Sequence, residues 1–280
     1  MTTAQKIIKY LAMAFAIFLS ISIIGGICSA LFSVSSILSG NTAYEMTEHA
    51  VGNNFTSLKV DISAAELEIK TGEKFGIETN HRYLTYKENG GSLEINETKP
   101  FFASHNGMKI ILTIPEKTVF DRADICTGAG SVSIDELLTK SLKIDLGAGE
   151  LIVERLDASD TAEINGGAGS LTVNDGYLRN ADIDMGIGEL NLTSELDGKS
   201  SIDYGVGETK LVLKGSSNDY KIEIDKGIGE ARIDGMQMSD DSVYGSGSRQ
   251  IEIDGGVGEL NITFRPEITI VGSEKGADFK

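Results

Sequence analysis

A ten-residue phrase occurs seven times in this chain, and its spacing constrains the fold more than any other feature. All copies place Gly-x-Gly shortly after an isoleucine. They read ICTGAGSVSI (125–134), IDLGAGELIV (144–153), INGGAGSLTV (164–173), IDMGIGELNL (183–192), IDYGVGETKL (202–211), IDKGIGEARI (224–233) and IDGGVGELNI (253–262), and we number them repeats 1 to 7. Successive first glycines lie 19, 20, 19, 19, 22 and 29 residues apart. So regular a period predicts a repeat architecture in which similar units stack on one another.

Each repeat predicts two short strands joined by a glycine corner. Isoleucine stands three residues before the first glycine in every copy, and mostly apolar residues stand one, four and six residues after it. We predict that these four columns form the buried face. The odd spacing at Gly-x-Gly indicates that the buried face changes sides there. Glycine allows the positive φ or the close backbone approach that such a corner requires.

Stacking lets such short strands bury their apolar side chains. Each buried isoleucine is worth about 1.5 to 3 kcal/mol before chain entropy is subtracted, so several per coil can sustain the stack. The sequence therefore predicts an all-β, single-domain parallel β-solenoid. We expect a right-handed β-helix with about 19 to 20 residues per coil and coils about 4.8 Å apart.

Weaker copies and insertions extend the pattern. VDISAAELEI (60–69) and ENGGSLEI (88–95) keep part of the phrase, as expected of terminal repeats. The segment 109–125 predicts a strand, a proline turn and a second strand that leads into repeat 1. Two insertions, 101–108 and 236–248, are expected to form loops on the outside of the stack.

The amino terminus predicts a membrane anchor. No charged residue lies between Lys9 and Glu45, and the apolar run 11–32 is long enough to cross a bilayer as a helix. A cleaved signal peptide ending near Cys28 and Ala30 is the alternative, although the apolar run is longer than that of an ordinary signal. The residues before Cys28 do not form the usual lipobox, which disfavours a lipoprotein.

The charges on either side of the apolar run predict the orientation. Positive charge precedes it and negative charge follows it, so the positive-inside rule leaves the amino-terminal tail in the cytoplasm. We predict a single-pass plasma-membrane protein with its carboxy-terminal domain outside the cytoplasm. The predicted segments are a cytoplasmic tail at 1–9, the transmembrane anchor at 10–38, a linker at 39–54, the β-solenoid at 55–265 and a polar tail at 266–280.

The acidity of the chain limits its partners. After residue 44 there are 23 basic and 42 acidic residues, a formal charge of −19. Such a surface repels nucleic acid and anionic lipid headgroups, but it attracts cations and basic proteins. Cys28 and Cys126 are the two cysteines of the sequence, and they provide no intrachain disulfide framework.

Two acidic columns accompany the corners. Aspartate stands two residues before the first glycine in five repeats, and glutamate stands three residues after it in five repeats. Stacking would turn each column into a row of carboxylates, and Ca²⁺ between coils is one hypothesis. However, the Gly-Gly-x-Gly-x-Asp calcium phrase is incomplete, because Leu171 and Leu260 stand where its aspartate belongs. We favour acids that bind the amides of the corner and keep the surface soluble, and we assign no metal site.

Enzymatic and nucleotide-binding patterns are lacking in the sequence. His49, His81 and His105 have no metal-ligand spacing, and no serine elbow or phosphate loop is found. The Gly-x-Gly corners recur between strands without a following helix, which disfavours nucleotide binding. We therefore expect no catalytic residue and no cofactor. A β-helix polysaccharide lyase remains the alternative class. Loose glycan binding by Tyr204 or Tyr244 is a further alternative, although a lone surface tyrosine more often only packs against its neighbours.

The run IPEKTVFDRADICTGAGSVSI, followed by the G-[AIV]-G-[ES]-L phrases, resembles the bacterial β-strand-repeat "putative adhesin" family, which includes the membrane-anchored LiaG-like envelope proteins. The resemblance covers roughly 55 to 265. It implies a non-enzymatic scaffold of the bacterial surface or envelope, whose partner would be an envelope protein, the cell wall or a foreign surface. The family carries no catalytic residues that could be transferred to this sequence.

Overall fold

The computed structural model describes residues 45–98 and 107–266. These residues form 16 strands and one 3₁₀ turn. The strands at the amino-terminal end are β1 (Thr47–Ala50), β2 (Ser57–Ala64), β3 (Glu66–Gly72), β4 (Gly76–Thr79), β5 (Leu84–Asn89), β6 (Ser92–Glu97) and β7 (Lys109–Pro115). The rest are β8 (Val119–Val173), β9 (Gly176–Arg179), β10 (Ala181–Asp197), β11 (Lys199–Lys214), β12 (Tyr220–Asp225), β13 (Ile228–Ile233), β14 (Met236–Gln237), β15 (Ser242–Gly245) and β16 (Arg249–Arg265), with the 3₁₀ turn at Ser217–Asp219.

Equivalent residues of neighbouring repeats pair with each other in parallel. Ile183 of repeat 4 lies opposite Ile164 of repeat 3 on one side and Ile202 of repeat 5 on the other. The isoleucine column is 0 to 2% exposed in all seven repeats. The predicted ladder is confirmed, and the fold is an all-β solenoid.

The buried face changes sides at Gly-x-Gly, but one predicted core column lies outside the core. The residue after the first glycine is half-buried or exposed in every repeat, and Ile228 is 46% exposed. Met185 and Tyr204, which stand before the first glycine of repeats 4 and 5, point inward instead, and each is 4% exposed. The prediction was wrong here because the change of sides takes place at the first glycine, so the residue that follows it already lies on the outer side of the strand.

The coils do not stack in the order of the sequence. Repeat 7, in β16, lies between repeat 5 in β11 and repeat 6 in β12 and β13. The other end is arranged similarly, because β2 lies between β6 and the start of β8. The stack thus departs from the order of the sequence at both ends: the first and last coils each lie one place in from the end of the stack.

Side-chain size explains why repeat 7 follows repeat 5. Tyr204 of repeat 5 covers Gly255 of repeat 7, where an added Cβ would lie 2.2 Å from the tyrosine hydroxyl oxygen. Repeat 6 has Lys226 at the equivalent position, so its side chain would compete with the tyrosine for the same space. Met185 of repeat 4 covers Gly166 of repeat 3 in the same way. Large residues paired with glycine thereby distinguish otherwise similar edges.

Antiparallel strands cover both ends of the parallel stack. At the amino-terminal end β5 pairs with β6, and β4 pairs with β7. At the other end β15 pairs with β12, and β14 pairs with β13. The insertion 236–248 therefore contributes cap strands. Short antiparallel strands of this kind shield edges that would otherwise extend the sheet into another molecule.

The predicted membrane segment lies outside the described residues, as do the predicted cytoplasmic tail and nearly all of the polar carboxy-terminal tail. No helix within 45–98 or 107–266 has the length and apolarity to span a bilayer. Strand β1 lies inside the range predicted as a linker and pairs with β4. Most of the predicted loop 101–108 is likewise outside the described residues.

Candidate functional site

The Gly-x-Gly corners of neighbouring coils stack along one edge of the solenoid. Along this edge the two acidic columns form two rows of side chains. Asp184 lies opposite Asp203, which in turn lies opposite Asp254, and Asp225 of repeat 6 completes this aspartate row. A second row joins the corner glutamates of the same four repeats, Glu189, Glu208, Glu259 and Glu230. Both rows face solvent or are half-buried. The predicted rows of carboxylates are therefore present, and they are most continuous in repeats 4 to 7.

The aspartate row carries mutual repulsion. Burial, followed by the carboxylates of Asp254 and Asp184, raises the pKa of Asp203 above its ordinary value. Within the described part of the chain, no ion pair involves Asp184, Asp203 or Asp254. The glutamate row is partly neutralised, since Lys210 lies 2.9 Å from Glu208 and Arg232 pairs with Glu230. The aspartate row is thus the side of the corner that lacks counter-charges.

Asp203→Asn is expected to stabilise the protein at neutral pH by less than about 1 kcal/mol, a size typical of exposed charge interactions. A raised folded-state pKa means that the folded state holds its proton at higher pH than the unfolded state does. Asp203 therefore costs stability at pH 7, and this cost vanishes as the pH falls through its folded pKa and below the unfolded value of about 3.9. Thermal unfolding at pH 7 and pH 3.5 would measure the gain and its loss.

Asn165 already provides this substitution within the same column, where its amide donates to Asp145 Oδ1 at 2.6 Å. The control is Glu73→Gln, which removes one exposed charge outside the rows. Equal stabilisation by both variants would contradict a local effect and would point to net charge alone.

An open groove of about 600 Å³ runs along the corner in repeats 1 to 4. Its floor is formed by corner glycines, and its polar lining includes Asp145, Asn165, Asp184 and Cys126. Partial burial, and then the carboxylates of Asp61 and Asp145, raise the pKa of the Cys126 thiol. The groove can therefore accept hydroxyl or cationic groups, while its cysteine is a poor nucleophile at neutral pH.

The corner acids only rarely bind the corner amides, contrary to the prediction. Asp225 accepts a hydrogen bond from the Gly227 amide at 3.3 Å, and it is the one row acid among the described residues to make such a bond. The reason is the direction of the side chains: they point outward, away from a backbone engaged in ladder pairing. No set of three His, Cys, Asp or Glu side chains within 45–98 and 107–266 is arranged to hold a metal ion.

The tyrosines named for glycan binding occupy other positions. Tyr204 is 4% exposed and belongs to the core, so its ring is unavailable to a ligand. Tyr244 stacks on Phe264, with ring centroids 5.7 Å apart, against the carboxy-terminal coils. The prediction of a surface role for Tyr204 was wrong because the residue before the first glycine points inward.

A buried His81–Glu97 pair was not predicted from the sequence. The Nε2 atom of His81 lies 3.2 Å from Glu97 Oε1, and both side chains are at most 1% exposed. His81 Nδ1 accepts from the Tyr83 amide, while Glu97 Oε2 accepts from the Ser63 amide at 2.6 Å. Because both side chains are buried, no substrate can reach this pair. Its role is structural, since it joins the first coils. A histidine and a glutamate 16 residues apart in a non-repeating region give no sequence signal.

The similarity to known proteins lies in the repeat region. The profile of the Toastrack DUF4097 family matches residues 55–254. No curated protein matches the sequence. Among solved structures, a "putative cell adhesion protein" from Clostridium sporogenes is 19% identical, with 79% of this chain and 99% of that chain covered and a TM-score of 0.34.

Two further solved structures are similar at the same level. A "putative adhesin" from Bacteroides fragilis is 13% identical over 78% of this chain and 96% of its own, with a TM-score of 0.39. A "putative lipid binding protein" from Parabacteroides distasonis is 14% identical over 79% and 98%, with a TM-score of 0.34. These TM-scores are low, so the assignment rests on the sequence profile and its match to the repeat region. The chain belongs to the Toastrack DUF4097 family.

Proposed function

We propose that this protein is a non-enzymatic binding scaffold of the bacterial envelope, anchored in the plasma membrane by residues 10–38 with the solenoid outside the cytoplasm. The aspartate row is the observation that carries the proposal. Repeats 4 to 7 hold Asp184, Asp203, Asp254 and Asp225 side by side despite their repulsion. Unneutralised like charges lower stability, so their repeated placement on one solvent-facing edge favours a role in contacting a partner.

The sequence supports the anchored arrangement. The run 11–32 has the length of a transmembrane helix, and the lysines precede it.

Labelling of Cys126 tests the orientation. In a Cys28→Ser variant the exposed Cys126 is the remaining thiol, so a membrane-impermeant maleimide should label intact and lysed cells equally. The raised pKa slows the reaction, and the purified protein under identical conditions gives the reference rate. Labelling that requires lysis would place the solenoid in the cytoplasm and would overturn the proposal.

In-cell crosslinking of the tagged, full-length protein tests the scaffold role. Capture of a membrane sensor or an envelope-assembly protein would support a regulatory scaffold, whereas capture of wall polymer or foreign surface material would support adhesion. Repeated failure to capture anything above an anchor-only control would contradict both.

A β-helix carbohydrate-active enzyme is the second candidate, and the open groove in repeats 1 to 4 is the observation that favours it. A lyase must stabilise an enolate-like charge, whereas the groove is lined by Asp145 and Asp184 without a lysine or arginine. Turnover of a defined acidic polysaccharide, abolished by Asp145→Asn, would establish the enzyme and displace the scaffold.

A further inference from the structure

An apolar ridge runs along the corner between the two acidic rows. Ile187, Val206, Val257 and Ile228 lie opposite one another in repeats 4, 5, 7 and 6, and we call them the corner ridge. Ile228 is 46% exposed and the other three are half-buried. Repeats 1 to 3 have alanine at this position, so the large side chains are confined to the half of the edge where the acidic rows are continuous.

The corner sequence leaves the ridge accessible from both sides. A glycine precedes and follows each ridge residue, so its immediate neighbours in the sequence carry no side chain. Beside Ile228 the Lys226 side chain reaches across, and its Nζ donates to the Gly229 carbonyl at 2.8 Å. The aspartate row lies three residues before the ridge, and the glutamate row lies two residues after it. A ligand that rests on the ridge therefore meets carboxylates on both flanks within the reach of a lysine or arginine side chain.

We propose that the corner ridge and its flanking acidic rows bind a basic amphipathic helix of a partner protein, with the apolar stripe of the helix on the ridge and its lysines and arginines on the rows. The ridge would bury the apolar stripe, and the rows would supply the opposite charge. This inference deepens the proposed function and rests on it, since it names the partner of the scaffold.

The spacing of the coils favours a helix. Ridge residues recur about every 4.8 Å, the separation of neighbouring strands, while a helix advances about 5.4 Å per turn. Over four coils, about 14 Å, the two periods stay within about 2 Å of each other. An extended strand presents same-side residues about 6.7 Å apart and falls out of step after two coils.

Charge supports the same partner. Burial, and then the carboxylates of Asp254 and Asp184, raise the pKa of Asp203. Cations on the helix would neutralise these carboxylates and relieve their repulsion. The net charge of the chain, −17, attracts a basic partner over longer range and repels anionic polymers. The binding should accordingly weaken as salt is raised toward and beyond physiological strength.

The test uses the full-length protein in phosphatidylcholine nanodiscs, with empty nanodiscs as the blank. The probe is a fluorescent synthetic helix with leucines along one face and lysines on both flanks. Its control peptide has the same composition in an order that abolishes the stripe. Fluorescence anisotropy should show the striped peptide binding at least about tenfold more tightly, because the control cannot bury its leucines together.

Matched variants locate the site. Val257→Ser on the ridge, and Asp254→Asn with Glu259→Gln on the rows, should each weaken binding about tenfold. Val119→Ser, at a valine 56% exposed elsewhere, and Glu73→Gln with Glu116→Gln, at exposed acids outside the rows, should leave it unchanged. Thermal unfolding would verify that all variants are folded.

Equal binding of the two peptides, equal losses in the control variants, or no binding of the striped peptide would each overturn the inference. The result of the crosslinking experiment is independent of the result of the peptide-binding experiment. Capture of a partner whose binding survives Val257→Ser would retain the scaffold and remove the ridge as its site. Specific peptide binding without a captured partner would retain the ridge and contradict the cellular role.

Discussion

Gly188→Ala is expected to unfold the coils around repeat 4, with a loss of more than about 4 kcal/mol. Gly188 has a φ of +140°, which residues with a side chain rarely adopt. An alanine Cβ would also lie 1.7 Å from the carbonyl oxygen of Gly169 in the coil below. Because that oxygen belongs to the backbone of a ladder, the clash can be relieved only by separating the coils. Urea unfolding monitored by circular dichroism would measure the loss.

Alanine variants of three other glycines distinguish the effect of the positive φ from the effect of the close contact between coils. Gly76→Ala, with an ordinary backbone and no atom within 4 Å of the added Cβ, should be nearly neutral. Gly235→Ala should cost about 1 kcal/mol or somewhat more, because its φ is +79° but its surroundings are open. Gly205→Ala lacks the positive φ but places Cβ 2.3 Å from the Gly186 oxygen, so it should be severe. If Gly188→Ala resembled Gly235→Ala, close coil contact would not be the controlling feature.

Ile183→Asp should be comparably damaging for a different reason. The side chain is 0% exposed and lies between Ile164 and Ile202 in the ladder. A carboxylate there would lose its hydration without a partner, and the apolar contacts to both neighbouring coils would be lost. We expect a loss of more than about 4 kcal/mol, with faster hydrogen exchange in repeats 3 to 5 than in the amino-terminal coils.

Glu189→Gln is the matched control, because Glu189 is exposed in the same repeat. Its effect should stay within about 0.5 kcal/mol, as is usual for surface substitutions. An Ile183→Asp variant with the same urea midpoint as the wild type would show that the proposed ladder is not the core of the protein.

The repeating phrase allowed the strand-corner-strand unit and its isoleucine ladder to be predicted. A ladder follows from period and apolarity alone, and both are visible in the sequence. The residue between the corner glycines misled the prediction, because Ile187 and Val206 are as apolar as the core residues although they lie at the surface. An apolar side chain indicates that a position can be buried. Whether it is buried depends on the direction of the backbone at the corner.

The order of the coils could not be predicted from the features that the repeats share. All copies share the same buried columns, so these columns do not distinguish one neighbour from another. The distinguishing residues are those in which the copies differ, above all Tyr204 and Gly255. The acidic rows followed directly from the stack, but the lack of counter-charges along the aspartate row depended on where the lysines and arginines reach.

The interior position of repeat 7 has a consequence for how the chain reaches its final structure. Repeats 1 to 5 can assemble in the order in which they leave the ribosome, each on the edge of the one before. Repeat 6 then meets a complete edge that belongs to repeat 7, and pairing there would be a kinetic trap. Lys226 opposes that pairing, because Tyr204 needs the glycine that repeat 7 has at this position and repeat 6 lacks. Arg249, which contacts Glu195 and lies over Tyr220, then helps to hold the late strand in place. Repeats 6 and 7 therefore reach their final arrangement only after residue 262 has been made, so a chain interrupted before that point retains an open edge.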